Sequence, residues 1–287
     1  MKYHIIFNPM AQSGKSKTVL DKVCRRLEQE NREYEVHQTL GRGHAMLLAE
    51  QISQVAEEII VIGGDGTLHE ALNGIVNPQA VRLALLPAGT GNDFCTGVHI
   101  PNDPDEVITK VLNGQTQPTD YIDFSGKRCL NVGGMGMDVD VLERVSRGKM
   151  KGKIKYLWSL LSSMFTFKGY PIRLSVNGKV YNENALFVAV CNGSQFGGGI
   201  RICPSAKADD GKLEVVLVKK LGFFGIVRAF IALLRGKILS FPDTQHFLCE
   251  QAEILPDVER TVQMDGELYE GYRVLDAKIM HGLNIYR

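Results

Sequence analysis

The apolar positions of the first 119 residues follow two alternating patterns, and each predicts a different element. Short continuous apolar runs are typical of strands buried on both faces of a parallel sheet. They predict strands at 3–8, 34–38, 59–62 and 83–86. Between these runs, apolar residues recur every three or four positions, which predicts helices over 15–30, 43–56 and 68–75. This alternation predicts a parallel α/β domain over residues 1–119.

After residue 119 the pattern changes to polar and apolar residues that alternate with a period of two. Residues 172–177 alternate in this way and run into Asn177-Gly178, a dipeptide that favours a tight hairpin turn. Further strands are predicted at 186–191, 213–218 and 260–264, with helices near 154–168 and 221–236. The fold class predicted is therefore α/β plus β, with a β-rich, sandwich-like second domain over residues 120–287.

Composition, charge and residue spacing exclude several classes of protein. The net charge is only +1, and binding to phosphate backbones requires clustered Lys and Arg, so we expect no nucleic-acid partner. No apolar stretch reaches the length of a membrane span, and we expect a cytoplasmic location. No two of the six cysteines lie within four residues, and the seven histidines form no metal-like cluster. The spacing therefore predicts no metal site built from Cys or His.

The first candidate for chemistry is Gly63-Gly64-Asp65-Gly66-Thr67, between a predicted buried strand and a predicted helix. Glycines there let backbone N–H groups turn toward an anion, and the helix N-terminus favours negative charge at the same place. Thr67 and Glu70 have the spacing of a capping box, which predicts that they fix the start of the helix. Asp65 suggests a metal or a proton acceptor, and the alternative is a tight turn with a solvated carboxylate.

Two other polar loops follow predicted strands, at residues 8–16 and 87–93. Ligands of α/β folds bind at the carboxyl ends of strands, so both loops are candidates for phosphate or ribose contacts. The alternative for the first loop is an ordinary helix cap.

Two known nucleotide-binding fingerprints do not fit this sequence. Pro9 stands where a Walker A loop needs Gly, and His69 stands where a Rossmann motif needs Gly.

The motifs GGDGTLHEALNGI at 63–75 and PAGTGNDF at 87–94 together resemble the catalytic domain of the diacylglycerol kinase family. That family includes bacterial lipid kinases and, more distantly, sphingosine and ceramide kinases. The resemblance continues in NGSQFGGGI at 192–200, DDGKL at 209–213 and DGE at 265–267, in family order over nearly the whole chain. It implies an ATP-dependent lipid kinase with its active site in the cleft between two domains, most simply one that converts diacylglycerol to phosphatidate.

The resemblance also implies the binding residues. It implies Mg²⁺ held by Asp210 with the backbone carbonyls of Lys207 and Lys212, and oxygen ligands are those that Mg²⁺ prefers. Glu267 and Asp265 are both candidates for the proton acceptor, and Glu267 is favoured. Asp65 is expected to position the metal and the phosphates. The ATP contacts implied are Asn8, Thr39, Gly64, Asp65, Gly66, Thr67, Leu68, His69, Glu70 and Thr90. The side chain of His69 is expected at the helix surface rather than in catalysis.

A lipid substrate requires contact with a membrane surface. Six basic residues lie within 144–155 without an acid among them, and an aromatic-rich apolar stretch follows to residue 165. This combination suits peripheral contact with an anionic membrane, and the alternative is a helix packed on the sheet. A second stretch, 223–234, is also flanked by basic residues, and we expect it to pack on the sheet. A homodimer is one assembly compatible with the sequence.

Two other functions compete with the lipid kinase. A soluble-metabolite kinase of the NAD kinase type would explain the GGDGT motif but not GTGNDF, DGKL or the basic apolar stretch. A non-catalytic nucleotide-binding regulator would lack acidic residues at the loops, and Asp65, Asp93, Asp210 and Glu267 are all present. The sequence does not identify the lipid, because several lipid classes offer a hydroxyl.

Overall fold

The computed structural model describes residues 2–137, 139 and 169–287, so the basic apolar stretch and the helix predicted near 154–168 lie outside the described residues. The described strands form one 15-stranded sheet. They are β1 (Lys2–Phe7), β2 (Glu33–Gln38), β3 (Glu58–Gly63), β4 (Arg82–Pro87), β5 (Thr116–Phe124), β6 (Lys127–Cys129), β7 (Val132–Gly136), β8 (Tyr170–Val176), β9 (Lys179–Cys191), β10 (Leu213–Lys219), β11 (Thr244–Cys249), β12 (Gln251–Pro256), β13 (Arg260–Met264), β14 (Glu267–Tyr272) and β15 (Leu275–Tyr286). The α-helices are α1 (Lys15–Gln29), α2 (His44–Ile52), α3 (Asp65–Gly74), α4 (Asp93–Gly97), α5 (Pro104–Leu112) and α6 (Phe223–Leu234).

The N-terminal part is the predicted parallel α/β arrangement. Strands β1 to β4 pair in parallel in the order β4-β3-β1-β2. All six residues of β3 are buried, as its continuous apolar run predicts. Helix α2 is shorter than predicted, because it ends at Ile52 and Val55, counted as part of its apolar face, is 85% exposed.

The C-terminal part is β-rich and mainly antiparallel, as predicted. Asn177 and Gly178 have φ values of 52° and 70°, and they join β8 to β9 as the predicted two-residue hairpin turn. Strand β9 lies at the centre, where it pairs with β7, β8 and β10. Helix α6 covers one face of this region, with Ile226 and Ala229 buried in an apolar cluster that also contains Val216 of β10.

Strand β15 connects the two parts of the sheet. Its first residues pair antiparallel with β12, most of its length pairs antiparallel with β5, and Asn284 and Ile285 pair parallel with β4. The hydroxyl of buried Tyr286 donates a 2.8 Å hydrogen bond to the buried carboxylate of Glu58 at the start of β3. The last strand therefore completes the apolar core of the first part, and the sheet is continuous across residue 119 within β5.

Helices α2 and α3 pack closely at Gly74. A Cβ atom at Gly74 would lie 2.0 Å from the carbonyl oxygen of Met46 and 3.0 Å from the Cβ of Ala49. Replacing Gly74 by Ala would therefore require one helix to move, although Ala is the better helix former.

We expect Gly74→Ala to lower the free energy of unfolding by about 1–3 kcal/mol, as overpacking of a helix contact does. Urea denaturation at constant pH measures the change. Gly41→Ala is the matched control, because nothing lies within 4 Å of a Cβ at Gly41. Equal stability of the two variants would contradict this account of the helix contact.

Candidate active site

Four loops of the N-terminal part meet at one edge of the sheet, because the parallel strands β1 to β4 all end there. They line an open cleft of about 640 Å³, which we call the polar cleft. The predicted ATP contacts on its wall are Asn8, Thr39, Gly64, Gly66, Thr67, Glu70 and Thr90.

The two glycine-rich loops pack backbone against backbone at the floor of the cleft. A Cβ at Gly64 would lie 2.9 Å from the Cα of Gly89, and a Cβ at Gly89 would lie 2.5 Å from the Cα of Gly64. Only glycine allows this approach. Side-chain bonds fix the third loop, because Asn8 Nδ2 donates to Thr67 Oγ1 at 2.9 Å and Gln12 Nε2 donates to the carbonyl of Gly89 at 3.0 Å.

The predicted capping box is wrong. Helix α3 begins at Asp65, two residues before Thr67, and its N-cap Gly64 has no side-chain hydrogen bond. Glu70 instead accepts hydrogen bonds from the backbone N–H groups of Gly43 and Ala45, at 2.7 and 3.2 Å, and so caps the N-terminus of α2. Its carboxylate holds two helices together at the rim of the cleft.

Leu68 and His69 do not line the polar cleft. Leu68 is buried in the core, and His69 is 2% exposed, so the expectation of a surface histidine is wrong. Its Nδ1 lies 2.9 Å from Asp265 Oδ2 and its Nε2 lies 2.7 Å from the Tyr269 hydroxyl. With Asp265 ionised, Nδ1–H donates to the carboxylate and Nε2 accepts from the hydroxyl.

Asp265 is a buried carboxylate that several donors satisfy. Besides His69, it accepts from the backbone N–H groups of Leu130 and Asn131 at 2.9 and 2.8 Å and from Cys129 Sγ at 3.1 Å. Burial by itself would raise the pKa of Asp265, but the hydrogen bonds from His69 and these donors hold it below its ordinary value. Asp265 therefore ties α3 to the strands of the second part.

A second space, which is mainly apolar, lies on the other side of the Gly64–Thr67 segment. It is a cavity of about 230 Å³, which we call the apolar cavity. Asp65, Asp93 and Asp265 lie at its polar end. Its apolar lining includes Phe94, Met137, Phe187, Phe196, Ile200, Ile202, Phe230 and Leu233. Both parts of the chain therefore contribute to one cavity that adjoins the polar cleft.

The Gly64–Thr67 segment separates the two spaces. Gly64, Gly66 and Thr67 line the polar cleft, whereas Asp65, also predicted as an ATP contact, lines the apolar cavity and not the cleft. Burial, and next the negative charge of Asp93, raise the pKa of Asp65 to about 6. Asp93 is itself buried and fixes the glycine-rich loop of the second part, since it accepts from the N–H groups of Gly198 and Gly199 at 2.7 and 2.8 Å. A cation beside these two carboxylates would be favoured.

Comparisons with known proteins agree with this geometry. Residues 2–124 match the diacylglycerol kinase catalytic domain, and residues 131–277 match the YegS C-terminal NAD kinase beta sandwich-like domain. The chain belongs to the diacylglycerol kinase family. It is therefore a lipid kinase, a phosphotransferase, and both of its family domains contribute residues to the apolar cavity described above.

Individual relatives cover most of both chains. A diacylglycerol kinase of Staphylococcus haemolyticus is 27% identical over 92% of this chain and 81% of its own length. One of Bacillus subtilis is 24% identical over 92% of this chain and 88% of its own. The crystal structure of a diacylglycerol kinase from Bacillus anthracis strain Sterne is 27% identical and superposes with a TM-score of 0.78, covering 99% of this chain and 96% of that one.

The other two sets of predicted site residues lie at the start of β14, which is partly exposed, and on an exposed turn before β10. Glu267, whose side chain is 29% exposed, pairs with Arg42 on the rim of the cleft, and a Cβ at Gly66 would lie 3.2 Å from its Oε1. Asp210 is exposed and its Oδ1 accepts from the N–H of Lys212 at 3.0 Å. Lys207 is exposed in the same loop, and one carboxylate with two carbonyls and water suits Mg²⁺.

Sequence reasoning missed the apolar cavity and two residue clusters. The phenylalanines that line the cavity come from four separate segments, so no local spacing reveals them. The prediction that histidines and cysteines join no metal-like cluster is wrong. His4 and His37 converge with Glu35, and His246 converges with Cys203 and Glu214. The members of each group are distant in sequence and become neighbours only through tertiary structure, so their spacing along the chain does not predict the group.

Asp65→Asn should stabilise this kinase at neutral pH. The folded-state pKa of Asp65 is raised to about 6 from its ordinary 3.8, so ionisation above that value opposes folding. We expect a gain of about 2–3 kcal/mol in the free energy of unfolding near pH 8 that disappears as the pH falls below about 4. Urea denaturation across that range measures it.

The exposed carboxylate of Asp276 provides the control. Asp276→Asn should change stability by less than about 0.5 kcal/mol at every pH. A difference between Asp65→Asn and wild type that does not depend on pH would contradict the role given to burial.

Proposed function

We propose that this kinase transfers the γ-phosphate of ATP to the free hydroxyl of diacylglycerol and releases phosphatidate. The observation that carries the proposal is the Gly64–Thr67 segment, which separates the polar cleft from the apolar cavity, with Asp65 on the cavity side. A lipid kinase requires two such spaces, because it must bring a nucleotide phosphate against a hydroxyl attached to acyl chains.

The polar cleft suits the nucleotide. The N–H groups at the start of α3 point to its floor, and the helix N-terminus favours phosphate charge there. Asn8 and Thr39 also line this cleft, where they would contact the nucleotide. Arg42 on the rim would neutralise further phosphate charge, since it is the basic side chain on this wall among the described residues.

The apolar cavity suits the beginning of an acyl chain. Most of its side-chain lining is aromatic or aliphatic, and the carboxylates of Asp65 and Asp93 lie together beside Gly91. A chain buried there would place the glycerol hydroxyl at the carboxylate end, toward the phosphate. Each buried methylene contributes about 0.8 kcal/mol, so even a few carbons give useful affinity.

For the proton acceptor, Glu267 is a better candidate than Asp265. Asp265 already accepts four hydrogen bonds and its pKa is lowered, so it is a weak base. Glu267 is partly exposed beside Gly66 of the phosphate loop. In the proposed step the lipid hydroxyl gives its proton to Glu267, its oxygen bonds to the γ-phosphorus, and the bond to the bridging oxygen of ADP breaks.

Mg²⁺ would act at two places. Bound with the nucleotide, it supplies charge neutralisation at the phosphates, and Asp65 would hold it or its waters. The raised pKa of Asp65 supports this role, because a cation would favour the ionised form. At Asp210, with the carbonyls of Lys207 and Lys212, Mg²⁺ would fix a turn anchored by the bond from Gly211 N–H to Asp120 Oδ2 at 2.8 Å.

Helix α6 supports access from a membrane surface. It packs Ile226 and Ala229 on the sheet, as predicted, and lines the apolar cavity with Phe230 and Leu233. Four of its other apolar side chains are exposed, namely Phe223, Phe224, Ile231 and Leu234, with Phe224 81% exposed. Among the described residues, no helix has the length and apolar character needed to cross a bilayer. We infer peripheral contact, with lipid moving from the bilayer across α6 into the cavity.

We expect labelled phosphate to pass from ATP to diacylglycerol in mixed micelles, and Asp65→Asn to lower turnover about a hundredfold or more. Ile200→Trp should fill part of the apolar cavity. Excluding two or three methylenes costs about 2 kcal/mol, so kcat/KM for the lipid should fall roughly thirtyfold with little change in the KM for ATP.

Val55→Trp is the matched control, because Val55 is exposed and lies on neither space. A panel of monoacylglycerol, sphingoid base, polyprenol and NAD⁺ tests the substrate class. Transfer to NAD⁺ and to no lipid would refute the proposal. Unchanged lipid kinetics in Ile200→Trp would refute the placement of the acyl chain.

Asp210→Ala should remove a Mg²⁺-dependent stabilisation measured without nucleotide. Binding of one ion stabilises the folded chain by about 2.7 kcal/mol at a hundredfold excess over its dissociation constant. Thermal unfolding with and without Mg²⁺ measures the effect, and Asp276→Asn should respond as wild type does. A full response in Asp210→Ala would place the ion elsewhere.

A further inference from the structure

A cluster of metal-type ligands lies away from the active site, on the sheet face that α6 covers. Glu214 on β10 is opposite Cys191 on β9, and His246 on β11 is opposite Val216, two residues beyond Glu214. Residues two apart on a strand share a face, so these side chains point to the same side. Cys203, from the loop that follows the glycine-rich segment, lies over them.

The three ligand atoms converge on one point. Cys203 Sγ lies 3.0 Å from Glu214 Oε2, His246 Nε2 contacts the same oxygen, and all three atoms lie within 4.8 Å of one another. In a tetrahedral zinc site, with bonds of about 2.0–2.3 Å, neighbouring ligand atoms are roughly 3.3–3.6 Å apart. Small rotations of the side chains would therefore accommodate an ion.

Burial and charge favour a divalent cation there. Cys203 and Glu214 are buried, and a buried carboxylate requires a compensating partner. A thiolate, a carboxylate and a neutral imidazole around a dication give no net charge. These three side chains leave the fourth position of a tetrahedral site to a water molecule. Cations that prefer only oxygen ligands do not match a ligand set that contains sulfur and nitrogen.

The surroundings meet two further requirements of a metal site. Ser205 Oγ donates to Glu214 Oε2 at 2.8 Å and so orients the carboxylate. The side chain of His246 is 32% exposed on β11, which leaves a route for the ion from solvent. The three ligands come from three separate segments, so an ion would link the 196–203 loop to the sheet.

We propose that Cys203, Glu214 and His246 form a binding site for a zinc-class transition-metal ion. The ion holds in place the loop that contributes Phe196 and Ile202 to the apolar cavity. The site is structural rather than catalytic, because its three ligands line neither the polar cleft nor the apolar cavity. The inference does not depend on the proposed lipid substrate.

Co²⁺ is the probe, because its spectrum reports thiolate ligation and tetrahedral geometry. The full-length chain is stripped with a chelator under reducing conditions and titrated with Co²⁺, and then Zn²⁺ is added in competition. We expect one ion per chain, a thiolate-to-cobalt charge-transfer band and a rise in melting temperature with Zn²⁺. Ser205→Ala should weaken binding about tenfold to a hundredfold.

Cys203→Ser and His246→Gln should lose the band, and circular dichroism reports whether each variant folds. His246→Gln keeps an N–H donor for Glu214 while removing the imidazole, so a purely hydrogen-bonded cluster would tolerate it. His37→Gln is the control, because it alters the other cluster, in which His4 Nδ1 lies 3.1 Å from His37 Nε2. No band in wild type, a band that survives in folded His246→Gln, or one lost in His37→Gln would overturn the proposal.

Discussion

The active site depends on one buried carboxylate, Asp265. Taking this charge out of water is tolerable only because donors from His69, Leu130, Asn131 and Cys129 satisfy it. His69 belongs to helix α3, whereas Asp265 belongs to the second family domain and its other donors lie at residues 129–131, at the start of that domain. Satisfying Asp265 therefore holds α3 against the second domain. Because α3 begins in the Gly64–Thr67 segment that separates the two spaces, this contact also holds the apolar cavity next to the polar cleft.

Local patterns in the amino-acid sequence predict much of the fold. The continuous run at β3 and the Asn177-Gly178 turn predict their elements, because burial and turn geometry act over a few residues. The meeting of the loops that follow β1 to β4 was also predictable, because parallel strands end at the same edge of a sheet. Partners distant in sequence were not predictable. Glu70 has the spacing to cap its own helix but caps α2, and only tertiary packing decides between the two.

The candidate site shows the usual conflict between stability and function. Asp65 lies partly buried beside Asp93, where its charge opposes folding. An amide there would fold better but could not hold a cation. The cavity and the exposed apolar side of α6 are similar cases, because neither is needed for a stable core. Each of these features suits the transfer of a charged phosphoryl group to a hydroxyl carried by a lipid.

Strand β15 has a consequence for synthesis. Its residues Asn284 and Ile285 are neighbours of β4, and Tyr286 reaches back to Glu58. During translation the N-terminal half emerges first, yet its sheet lacks this neighbour until residues 284–286 leave the ribosome. The exposed edge of β4 is therefore open throughout elongation to mispairing or to a chaperone. Formation of the complete native sheet is consequently a late event, because it requires β15 to pair with β4.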